Sequence, residues 1–319
     1  MKLLRRIFSL VFIGLFVVVF PVGNLVAENE ELSELTEHER ELVLLVAAKQ
    51  GRLDLVKELV EFYKVDVDFS YGGAAAIHYA VSNEYEDILK FLIDKGANIY
   101  QKTSQGLLPI QLAIIVRSLK CMELLLKAEK KIVHINNSEE TLRSAYIAKN
   151  LQAIALLLSY NYDPNTIIDG YSLLYLSIAT KQIELFDELL RFKTDVNLIS
   201  ENGSTPLVIA TVSGNEYVIK TLLEKGADPN IKDINGFTAL MHAIRLNNLQ
   251  TIKSLVRNGA DINIKDESGY TALHHAALLG EISIVDYLLK NGADAAVVGD
   301  DGASAQEFID VLKEKIKEN

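Results

Sequence analysis

An all-α solenoid, built from stacked helix-turn-helix pairs with β-hairpin-like fingers and closed by a C-terminal capping helix, is the fold class this sequence predicts. Three observations predict it. A tract anchored on Thr205, Thr238 and Thr271 recurs every 33 residues. A Gly-Ala-Asp follows 21 residues after each anchor, beginning at Gly226, Gly259 and Gly292. Nine residues after the anchor stand Gly214 and Gly280.

Each element of the period has a physical reason. Thr205 can cap a helix whose first turn holds Pro206, where the missing N–H has no intrahelical partner to lose. Gly214 and Gly280 suit the left-handed conformation that ends such a helix. A second helix follows, with Val218, Ile219, Leu222 and Leu223 on one face and Gly226 as its stop. Asp228, Pro229 and Asn230 make a turn-rich exit toward Asn235 and Gly236, a pair suited to positive φ. Walking backward, the anchor slot falls on Ser172, Glu140, Leu108, Ala75 and Leu42, with one-residue deletions in the middle of the array. Near the start, Gly51 supports an N-terminal unit, while an extra residue near Asp66, Val67 and Asp68 disturbs the finger. Thr36 with Glu39 has capping-box spacing and sets the first helix start near Glu37. At the other end, Gly302, Ala303 and Ser304 open a half-repeat able to form one terminal helix.

The period and its Thr-Pro-Leu and Thr-Ala-Leu-His tracts resemble the ankyrin repeat, whose signature is about 33 residues long around T-P-L-H-x-A. Ile77, His78, Tyr79 and Ala80 with Gly96, Ala97 and Asn98 make a clear copy. The resemblance covers roughly residues 36–317, as eight repeats plus a cap. A single repeat is too short to bury its own apolar face, so stability is expected at repeat–repeat interfaces.

The N-terminus carries a separate signal. Lys2, Arg5 and Arg6 precede an uncharged apolar run over residues 7–20, followed by Pro21, Gly23 and Asn24. The run has the length of a signal-peptide core, and Leu25, Val26 and Ala27 offer a cleavage site before Glu28. Residues 1–27 therefore read as a signal peptide; uncut, residues 7–27 become a membrane anchor with the basic residues on the cytoplasmic side. Residues 28–36 form an acidic linker and residues 37–319 the repeat domain. Export to a periplasm or outside the cell is the expected localisation.

Composition fits an exported, acidic globular chain, and the resemblance implies a non-catalytic binding protein. Of the residues 49% are hydrophobic and 24% charged, with a formal net charge of −11. Nucleic acid is a poor partner for such a body. The single cysteine, Cys121, allows no internal disulfide, and its slot on a second helix's apolar face makes it a core residue. No phosphate-cradling glycine loop, zincin motif or nucleophile elbow occurs, and no cofactor or metal is expected. The resemblance gives His78 and His274 a structural role tying neighbouring repeats together. An enzyme or metal site would have to use His242 and His275, one period apart, with Asp266. A membrane-tethered structural spacer is a third possibility.

The resemblance implies a protein partner, held by a monomer on the concave face of fingers and first helices. By spacing, Tyr171, Ser204, Phe237 and Tyr270 precede successive anchors and form a ladder. Two readings of this ladder stand: the rings grip a partner, or each shields its neighbour's finger. Ile234, Asn235, Glu267 and Ser268 are the finger-tip contacts, and Arg245 and Leu246 lie on a second strip at the first-helix ends, beside Val212, Leu278 and Leu279. Residues 108–193 break the pattern: Glu129, Asn161 and Lys193 replace the second-helix glycine. Function and buffered drift both account for this.

Overall fold

The computed structural model describes residues 32–129 and 138–318, with side chains to 314. Residues 1–27, on which the signal-peptide and anchor readings rest, lie outside the described residues, as do residues 28–31 of the linker 28–36. The chain divides into two compact units, residues 1–109 and 110–319.

In the first unit, α1 (Glu37–Gln50) starts where the capping box places it: the Thr36 hydroxyl accepts from the Glu39 N–H at 3.3 Å, and the Glu39 carboxylate accepts from the Thr36 N–H at 2.8 Å. Helix α2 (Leu53–Glu61) packs behind it. The finger that follows is a true hairpin, β1 (Ser70–Tyr71) against β2 (Ala74–Ala75), turned by Gly72 and Gly73, both at positive φ. Helices α3 (Ala76–Ser82) and α4 (Glu86–Asp94) complete a second pair stacked on the first.

The second unit repeats this plan. Its first helices are α5 (Pro109–Ile115), which opens at the boundary residue, α7 (Ser138–Ile147), α9 (Leu173–Ala179), α11 (Pro206–Ser213), α13 (Ala239–Arg245) and α15 (Ala272–Leu278). The second helices are α6 (Leu119–Glu129), α8 (Leu151–Ser159), α10 (Ile183–Leu189), α12 (Glu216–Glu224), α14 (Leu249–Arg257) and α16 (Ile282–Lys290). Helix α17 (Ala305–Glu318) caps α15, with Ser304 and Glu307 forming a second capping box. One more paired hairpin, β3 (Ile167–Ile168) with β4 (Tyr171–Ser172), turns at Asp169 and Gly170, both left-handed. Val218, Ile219, Leu222 and Leu223 are all buried, as their spacing requires, and Cys121 is fully buried in α6. Burying such an aliphatic side chain contributes about 1.5–3 kcal/mol.

Two sets of hydrogen bonds hold one repeat to the next. An Asp-x-Asn follows α8, α10, α12 and α14, at Asp163, Asp195, Asp228 and Asp261. Each aspartate accepts from the N–H two residues on, closing the turn. Each asparagine then clips the following repeat: Asn165, Asn197, Asn230 and Asn263 accept from the N–H of Asp195, Asp228, Asp261 and Asp294 at 2.7–2.9 Å, and their amides donate back to the carbonyls of Lys193, Gly226, Gly259 and Gly292. The extra residue near Asp66 does not break this device, since Asp68 accepts from the Asn98 N–H at 2.7 Å. Finger tips are joined by backbone bonds: the N–H groups of Ser104, Glu201, Glu267 and Asp300 donate to the carbonyls of Gly73, Gly170, Asn235 and Ser268. Gly236 shows why a tip needs glycine, because at φ 75° an added Cβ would stand 2.6 Å from the Glu267 nitrogen. In the Asn235-Gly236 pair only the glycine takes positive φ.

The slot nine residues after each anchor is left-handed all eight times, at Gly51, Glu84, Arg117, Lys149, Lys181, Gly214, Asn247 and Gly280. Their spacing reproduces the anchors back to Leu42, including both shortened periods. Four of these residues are long charged side chains, each disfavoured there by about 1 kcal/mol. Packing of the helix pair imposes the turn regardless of residue. At the second-helix exit Asn161 is left-handed, as expected of asparagine, whereas Lys193 is not: α10 stops at Leu189, whose carbonyl accepts from the Thr194 hydroxyl at 2.6 Å. Lys181→Gly relieves the strained slot, and thermal melting should show it stabilised by about 0.5–1 kcal/mol; an unchanged or lower melting temperature contradicts this account.

Candidate functional site on the fingers and first helices

The residues singled out by spacing occupy three environments. Ile234, Asn235, Glu267 and Ser268 are exposed on the finger tips, and Arg245 and Leu246 are exposed at the end of α13. Tyr171, Phe237 and Tyr270 are half-buried, and Ser204 is buried with its N–H donating to Asn202 Oδ1 at 3.0 Å.

Each of the three rings lies against its own first helix. Tyr171 stacks on Tyr175 at 4.8 Å. Phe237 lies between His242 and His275, 5.6 and 5.1 Å from their ring centres, with the Arg245 guanidinium 5.1 Å from its own. Tyr270 stacks on His274 at 5.0 Å, meets Phe308 of α17 and donates its hydroxyl to Asp301 at 2.6 Å. That bond lowers the Asp301 carboxyl below its ordinary value and raises the Tyr270 phenol. The rings fasten fingers to helices, and whatever else they touch is added to that.

Two carboxylate–imidazole pairs recur one repeat apart. Asp233 Oδ1 accepts from the N–H groups of Asn235 and Phe237, while Oδ2 accepts from His242 Nε2 at 2.9 Å. Asp266 does the same with Ser268, Tyr270 and His275, the last at 2.8 Å. Asp266 thus serves His275, and His242 has its own partner in Asp233, a residue not singled out from sequence. The signal for it is an Asp five residues before the anchor matched to a His four after it. The Phe237 ring separates the two imidazoles. Among the described residues, no group of three or more His, Cys, Asp or Glu side chains is placed to hold a metal ion.

His78 ties repeats as the resemblance implies: its Nδ1 accepts from the Ala75 N–H at 2.9 Å, and its Nε2 donates to the Gln101 carbonyl of the next finger at 2.8 Å. The irregular repeats keep the tie with other chemistry. Gln111 donates to the Ser144 hydroxyl at 3.1 Å, and the Arg143 guanidinium pairs with the Asp169 carboxylate on the following finger. Buried Glu129 accepts from the Tyr162 hydroxyl at 3.0 Å.

Burial lowers the His78 pKa, so the folded chain holds that ring neutral below the pH at which an unfolded chain protonates it. Its contribution to stability is then complete above about pH 6.5 and declines as pH falls toward the lowered folded value. Chemical denaturation from pH 7.5 down to about 5 should show part of the acid loss disappear in His78→Gln; an identical slope in both proteins contradicts this.

Comparison with known proteins agrees with the geometry. A family model described as ankyrin repeats in three copies matches residues 22–103, 44–138, 142–233 and 228–298. The chain is 42% identical over 71 residues to alpha-latrocrustotoxin-Lt1a of Latrodectus tredecimguttatus, covering 22% of this chain and 5% of the toxin. It is 26% identical over 216 residues to palmitoyltransferase AKR1 of Lachancea kluyveri, covering 63% of this chain and 29% of that protein. A putative ankyrin repeat protein of Rickettsia bellii is 29% identical over 171 residues, covering 51% of this chain and 24% of the relative. The chain therefore spans a minor part of these relatives' lengths. With the repeated helix pairs, the interlocked fingers and a family model matching most of its length, the chain belongs to the ankyrin-repeat family.

Proposed function

We propose that the chain is a non-catalytic protein-binding module, exported from the cytoplasm, that holds a protein partner on its finger and first-helix face. Ankyrin repeats generally mediate protein–protein binding. The observation that carries the reading is the exposure of large apolar side chains on that face, with Ile234 at 68%, Leu246 at 51% and Leu278 at 52%, next to polar groups already bonded internally. Exposed apolar clusters rimmed by polar residues mark interaction surfaces. The transferase activity named for the yeast relative belongs to a protein of which this chain covers 29%.

Export is supported by the basic and apolar pattern of residues 2–20. Among the described residues no helix is long and apolar enough to cross a membrane. Protein recovered outside the cytoplasm with Glu28 at its N-terminus would support cleavage, and Met1 retained in the membrane fraction would make residues 7–27 an anchor.

Ile234→Ser with Leu246→Ser should reduce capture of the partner at least about tenfold while the melting temperature stays within about 2 °C of wild type, since neither side chain is in the core. Undiminished capture would overturn the assignment of this face.

A further inference from the structure

At the C-terminal ends of the first helices in the second unit, one position per repeat is left uncovered. It holds Ile115, Ile147, Ala179, Val212 and Leu278, all exposed, and in the one remaining repeat Arg245 with Leu246 beside it. The aliphatic members are far from marginal: Ile115 is 53% exposed and Ile147 69%. Neighbouring members are tied together, since Asn150 donates to the Ile114 carbonyl at 3.1 Å and the Tyr146 hydroxyl reaches that of Thr180 at 3.5 Å. Packed helices lie about 8–10 Å apart, so the strip is one side chain wide with rungs at that step.

Two residues beyond the first three rungs come Arg117, Lys149 and Lys181, all exposed and all in the left-handed slot. Glycine fills the same slot at 214 and 280, and asparagine at 247. Three successive basic side chains thus stand beside the apolar row in a chain whose net charge is −11, held in a backbone state that glycine adopts more readily. Arg117 spends one donor on the Ala148 carbonyl at 3.0 Å, and a guanidinium carries five.

We infer that this strip docks an acidic peptide segment of the partner, with carboxylates over Arg117, Lys149 and Lys181 and aliphatic or aromatic side chains seated between the rungs. The inference rests on the binding reading above and deepens it by naming the partner's chemistry. A row one side chain wide fits a single chain, and a chain in the polyproline II conformation, with three residues per turn and a rise of about 3.1 Å per residue, brings every third side chain to the same side at about the spacing of the rungs. Complementary charge gives the contact its selectivity and its dependence on salt.

The test uses the full chain and a fluorescent peptide of about 15 residues with Leu or Phe at every third position and Glu elsewhere, a length that spans several rungs. Wild type should bind it, and binding should weaken with salt and fail for the counterpart carrying Lys in place of Glu. The double variant Lys149→Gly and Lys181→Gly should bind at least about tenfold more weakly while melting at a higher temperature, which separates docking from folding. Ile115→Ser with Ile147→Ser should weaken binding comparably. Equal binding of the Glu and Lys peptides, or an undiminished affinity in the Gly variant, overturns the proposal. So does binding to phosphatidylglycerol vesicles that the same variants abolish while the peptide goes unbound. Should the strip fail while capture of the native partner still depends on Ile234 and Leu246, the broader binding assignment stands without it.

Discussion

Helices of seven to eleven residues do not persist alone in water, and every helix here between α1 and α17 is in that class. What the structure depends on is therefore the seam between repeats, and in the second unit the seam is set by asparagine. A side-chain amide that accepts from one backbone N–H and donates to a carbonyl two residues earlier has only one register in which both bonds close. The clips at Asn165, Asn197, Asn230 and Asn263 thus fix where each repeat sits on the one before, and the apolar faces are brought together in that register. Burial supplies most of the energy, and the clips supply the alignment.

The left-handed slot shows the same division of labour. A residue with poor intrinsic preference, such as Lys181, takes the turn because the helices before and after it are packed. Local propensity is overruled by the packing of the two helices that flank the slot. Gln111, Arg143 and Tyr175 stand in the slot of the structural histidine and replace its bond with an amide, an ion pair and a stacked ring.

Much of the fold was legible because its signals are local. Thr36 with Glu39, Thr205 before Pro206, and Gly51, Gly214 and Gly280 each declare a helix end within four residues of chain. The period then carried the reading through stretches where the signals fade, placing the anchor slots at Glu140 and Leu108 correctly against the observed turns. Contacts formed between repeats were harder to see. Asp163-Pro164-Asn165 looks like a turn, and nothing in those three residues says that the asparagine faces the next repeat. Asp233 escaped notice because its partner His242 is nine residues away across a finger, a separation with no helical or strand period. The aromatic positions were found by spacing, but their attachment to His274, His275 and Arg245 depends on side-chain direction, which spacing leaves open.

The joining of finger tips through peptide groups has an evolutionary consequence. At Glu201, Glu267 and Asp300 the bond to the preceding finger uses the main chain, so almost any side chain at these positions leaves the frame intact. Mutation can rewrite the surface text one letter at a time, and a lineage carrying this scaffold can exchange what it recognises without passing through an unfolded ancestor.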